Sequence, residues 1–210
     1  MAMLRQITRE LRNHAPFTVI GSASGIVLMF FFQNIPEKTA YNIFRILHPT
    51  HVILSALVTA SMYKIYKCGK IKGKCSLLGL FAIGYIGSIG IATLSDCIIP
   101  YFAEWALEMP NRHLHIGFIE EWWLVNPLAV AGIAIAYFYP KTKFPHSGHV
   151  LISTWASLFH IIMAKGMGYQ WYLYPIVFIF LFVAVWLPCC ISDIVFPLLF
   201  INEEIPHSHN

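Results

Sequence analysis

The chain has 210 residues, of which 58% are hydrophobic and 11% charged, with a mean hydropathy of +0.65 and a net charge of +4. A water-soluble domain is roughly 25% charged, so this composition excludes one and predicts an all-α polytopic membrane protein. The small positive balance calls for no nucleic-acid partner, because loop lysines and arginines that orient helices in the bilayer account for it.

In chain order, residues 1–14 come first. Arg5, Arg9 and Arg12 are interleaved there with Met3, Leu4, Ile7 and Leu11. That spacing predicts a basic amphipathic segment resting on anionic membrane lipid, not a cleavable signal peptide. Six apolar spans follow, near 15–33, 48–66, 76–100, 123–140, 149–166 and 171–200. Each approaches or exceeds the roughly 17–25 residues that cross a bilayer core. Spans one to three form a unit, 15–100, and spans four to six form another, 123–200. A polar connector, 101–122, joins them, and a polar tail occupies 201–210. With the N-terminus inside, ten of the 14 Lys and Arg residues fall on inside segments. An integral membrane protein with both termini cytoplasmic is therefore expected. The five cysteines show no extracellular disulfide spacing.

The two units echo one another. His48-Pro-Thr-His51-Val-Ile-Leu-Ser55 reappears as His146-Ser-Gly-His149-Val-Leu-Ile-Ser153. Ser95-Asp96-Cys-Ile-Ile-Pro100 reappears as Ser192-Asp193-Ile-Val-Phe-Pro197. The second histidine precedes the Ser-Asp block by 44 positions in the first unit and 43 in the second. Both aspartates of the chain and four of its ten histidines lie in this pattern. Three crossings per unit is an odd number, so the second unit enters the membrane from the opposite side. That is the inverted-topology repeat common among transporters.

Histidines at i and i+3 share a helical face, and a carboxylate from the next helix would complete a three-ligand site. His48, His51 and Asp96 form one expected metal half-site, and His146, His149 and Asp193 the other. The histidines are expected at the start of their helices and the aspartates at the ends of theirs. The half-sites then stay apart, on opposite faces; in the alternative, helices broken at Pro100 and Pro197 bring both sets together near the midplane. The connector holds Glu104, His113, His115, Glu120 and Glu121. It is expected to act as a lid offering further ligands, or as a general base for a metal-bound water. His160 stands among apolar residues, three turns beyond His149, as an inner ligand, a proton relay or a bonded core histidine. Its catalytic residues, if it has any, are not marked by a motif.

These patterns predict a transporter of a divalent transition-metal ion (zinc, iron, nickel or manganese), with membrane lipid and the ion as its partners. Two alternatives stay open. A membrane-embedded metal-dependent hydrolase or oxygenase would use a His/His/Asp site and a Glu base. A b-type haem protein would need histidines facing each other from different helices, such as His51 and His160.

Overall fold

A bilayer core offers the backbone no water, so a spanning segment closes its hydrogen bonds internally as a helix. The computed structural model describes residues 2–68, 76–140, 143–165 and 171–190, and among them there are eight α-helices and no strand. The helices are α1 (Ala2–Phe32), α2 (Glu37–Tyr63), α3 (Leu77–Thr93), α4 (Ile99–Ala106), α5 (Gly117–Glu120), α6 (Trp122–Phe138), α7 (Lys143–Ala164) and α8 (Leu173–Cys190). Four runs are long and apolar enough to cross a membrane: Ala15–Phe32, Glu37–Tyr63, Leu77–Ala106 and Ser147–Ala164. Helices α6 and α8 are apolar but shorter. Asp193 lies outside the described residues, as does the side chain of His146.

Two boundaries differ from expectation, each for a physical reason. Helix α2 begins at Glu37, so His48 sits about 16 Å along it at 1.5 Å per residue, not at its mouth. Glu37, Lys38 and Arg45 make the first turns look like a loop in sequence. Pairing removes the difficulty: Arg45 Nη2 donates to Glu121 Oε2 at 2.9 Å. Asp96 likewise lies within a helix instead of ending one. Pro100 removes the amide that would serve the Asp96 carbonyl, yet the chain does not break. Residues Leu94–Ile98 form a π-turn, in which the Ile99 N–H bonds the Leu94 carbonyl, and α4 continues directly. Pro100 then falls in the first turn of α4, where the missing donor costs least. The wide turn faces Asp96 and Ser95 into the bundle, where both are fully buried.

Helix α2 is the hub and packs against α3, α6 and α7, while α1 lies against α7 and α8. Small residues permit the close approaches. A Cβ on Gly132 would lie 2.5 Å from the Ile53 carbonyl oxygen, so α6 meets the α2 backbone there. The apolar core runs through Met29, Phe44, Leu158, Ile161 and Leu181. Phe31, Leu78, Ile86 and Phe138 face outward and exposed, an exterior suited to lipid tails.

The connector combines exposed and buried residues. Its first residues extend α4, and Glu104 is fully buried. Beyond it the Asn111 N–H bonds the Ala164 carbonyl at the end of α7 at 3.0 Å, and α5 is pressed against α2. Folding back lets Glu121 meet Arg45 of α2 and Glu104 meet His160 of α7.

Candidate metal centre

Asp96 is the centre of a buried polar network. A carboxylate accepts only, and here it accepts four times. Nδ1 of His48 donates to Oδ2 at 2.9 Å, and Nδ1 of His51 donates to the same oxygen at 2.7 Å. Oδ1 accepts from the hydroxyl of Ser95 at 2.7 Å and from that of Ser153 at 2.8 Å. Ser157 donates to the Ser95 carbonyl at 2.9 Å, which fixes the π-turn against α7. In this arrangement Asp96 orients both imidazoles through Oδ2; a His/His/Asp ligand set would exchange these hydrogen bonds for bonds to the ion. With the proton on Nδ1, the lone pair of each ring lies on Nε2. The Nε2 atoms of His48 and His51 are buried and have no hydrogen-bond partner. A carboxylate–imidazole bond of this kind orients a metal-ligating histidine and raises its basicity.

The two histidines then diverge. His48 is stacked on Phe44, with ring centroids 5.3 Å apart, and its ring edge abuts Gly117 of α5. His51 faces His149 of α7, with centroids 5.7 Å apart and planes 4° from parallel. One ligand atom each of His51, His149 and the thiol of Cys189 lies within 4.8 Å of the others, and all three residues are buried. For His51 and His149 this departs from the favoured separate half-sites and matches the alternative in which the two sets meet. His149 was expected at the opposite face from His51, but α7 packs along α2 and brings the second histidine of each echo together. His51 lies near the middle of α2 and His149 within the first two turns of α7.

A second group lies in the connector. His113, His115 and Glu120 also present ligand atoms within 4.8 Å of one another. Glu120 Oε2 accepts from His115 Nδ1 at 3.0 Å, and its Oε1 accepts from the Ile116 N–H at 3.2 Å. Partial burial alone would raise the Glu120 carboxyl; the His115 and Ile116 bonds outweigh it and hold Glu120 below the usual glutamate range. Glu121, the other expected base, is engaged elsewhere. Arg45 grips it, and the Tyr41 hydroxyl donates to it at 3.3 Å. Glu104 and His160 form a third unit, with His160 Nδ1 2.5 Å from Glu104 Oε1 and both residues buried. His160 turns its edge to Phe44, with centroids 5.4 Å apart, while His51 faces His149. His51 is thus paired with His149 and not with His160, the example given for a haem.

Three contributors escaped the sequence reading. Cys189 sits in an apolar run that no motif marks. Phe44 and Gly117 touch histidines only through tertiary packing. Ser153 did carry a signal, since it repeats Ser55 within the echo. No family model matches the chain, and no curated protein or solved structure matches it either.

Proposed function

We propose that the protein is an integral membrane transporter of a divalent transition-metal ion, built as six spans in two inverted three-helix repeats with both termini cytoplasmic. The observation that carries this reading is the buried pair His51 and His149, face to face at 5.7 Å, with Cys189 in reach. One histidine comes from each half of the chain, His51 from the middle of α2 and His149 from the first two turns of α7. Transporters built from inverted repeats bind their ions at that kind of interface. Helix α6 has 17 residues and extends about 26 Å, enough for a crossing with slight local thinning of a core of ~30 Å. Helix α8 is read as the sixth crossing. On sequence grounds alone, His146 and Asp193 keep the parts in the second unit that His48 and Asp96 have in the first.

Two imidazoles and a thiolate are borderline to soft donors. They favour zinc, iron or nickel over manganese, and manganese over calcium. Asp96 aims the His51 ring, and Ser153 ties that acceptor to the other half. Rocking of one half against the other would stretch the His51–His149 and Asp96–Ser153 contacts together, so ion release and helix motion are coupled. The test is zinc uptake into proteoliposomes. The wild type should exceed protein-free liposomes, and His149→Ala should lower the rate at least tenfold. No movement of zinc, iron, nickel or manganese above the protein-free control would contradict transport.

The Glu104–His160 unit favours a second reading. It is a buried acid–base pair that ion coordination does not require. Stoichiometric metal without flux would favour a metal-dependent membrane enzyme with this pair as proton carrier.

A further inference from the structure

The connector group lies beside a cavity of about 430 Å³ lined by Glu37, Lys38, Tyr41, His115 and Met163. From it a file of contacts runs inward. His113 and His115 have ring centroids 4.4 Å apart, and His115 meets His160 at 5.7 Å. His160 meets Phe44 at 5.4 Å, and Phe44 stacks on His48 at 5.3 Å. His48 and His51 share Asp96 Oδ2, and His51 faces His149. Within this file the solvent-reaching end and the buried end each bring together three side chains whose ligand atoms lie within 4.8 Å of one another. The interior between them is aromatic.

We propose that His113, His115 and Glu120 form a second site, which captures the same divalent ion from solvent before it passes to the buried centre. The proposal rests on the transport reading for the ion's destination, but its binding chemistry stands alone. Two imidazoles with a carboxylate form the ligand set of open zinc sites, with a fourth position left for water. Glu120 is already fixed by the Ile116 N–H, so little ordering remains for the ion to impose. His115 is partly buried while His113 and Glu120 are exposed, which suits exchange with solvent. Weaker, faster binding is expected here than at the buried site, where no water reaches the ligands.

The experiment is equilibrium dialysis of the full-length protein in detergent against zinc, with bound metal read by elemental mass spectrometry. His113→Ala/His115→Ala should bind one equivalent fewer than wild type, and His149→Ala should separately bind one fewer. An unchanged stoichiometry in the double variant overturns the capture site, whatever His149→Ala does. Loss in the double variant with no loss in His149→Ala supports the capture site and overturns the buried centre. Should the double variant lose its thermal transition, Glu120→Gln takes its place. It keeps the shape of the side chain and should weaken the lower-affinity site at least about tenfold. An unchanged isotherm then overturns the proposal.

Discussion

Ser153 of α7 donates a hydrogen bond to Asp96, 57 residues earlier in the chain, at 2.8 Å. The bond ties the two halves of the protein through the one oxygen that the histidines leave open. Asp96 and its donors are buried, so loss of the acceptor is expensive. Asp96→Ala is expected to leave four donors facing a void and to destabilise the fold by at least about 2 kcal/mol. Asp96→Asn should cost less, because the serine hydroxyls can turn and accept from its amide. Thermal unfolding in detergent should rank wild type above Asn and Asn above Ala. An Ala variant as stable as wild type would deny the network.

Gly117 should be intolerant of a side chain. A Cβ there would stand 2.4 Å from the His48 ring, which Asp96 and Phe44 already hold. Helix α5 would have to lift away. Gly117→Ala should cost about 1–3 kcal/mol and slow zinc uptake, with wild-type stability and uptake as the contrary result.

Gly132→Ala probes the scaffold without touching a ligand. Its Cβ would meet the Ile53 carbonyl oxygen at 2.5 Å and Ala56 at 2.9 Å. Backbone is less able to yield than a side-chain tip, so a loss of roughly 1–3 kcal/mol or more is expected. Thermal unfolding checks it. A variant with wild-type stability would mean that α6 and α2 do not meet this closely.

How far the sequence carried this picture can be judged from particular residues. The helical class followed from apolar run lengths, because the bilayer permits little else. His51, His149 and Asp96 were found by repetition. Their arrangement was not legible. Polar Glu37, Lys38 and Arg45 hid the start of α2, since the partner of Arg45, Glu121, lies 76 positions away. Pro100 signals a break in sequence, and the preceding π-turn absorbs it. In sequence Glu104 reads as part of a lid, and its pairing with His160 is hidden because that partner is 56 positions distant. Local pattern reports periodicity; it does not report which polar groups find each other.

The Glu104–His160 pair gives a further test. Removing one member of a buried pair leaves the other unsatisfied. Glu104→Ala should destabilise the protein by about 3 kcal/mol. Glu104→Gln, whose carbonyl still accepts from His160, should retain most of that stability. With a structural role, Glu104→Gln also keeps zinc uptake. Uptake abolished at full stability would move the pair into the transport or chemical step.

The most direct measurement is the optical spectrum of the cobalt(II)-loaded, full-length protein, because cobalt(II) reports its ligands where zinc is silent. An ion held by His51, His149 and Cys189 should give intense tetrahedral bands and a thiolate charge-transfer band, and Cys189→Ser should abolish that charge-transfer band. A loaded wild type with no thiolate band, or a band unchanged in Cys189→Ser, would contradict the buried metal centre.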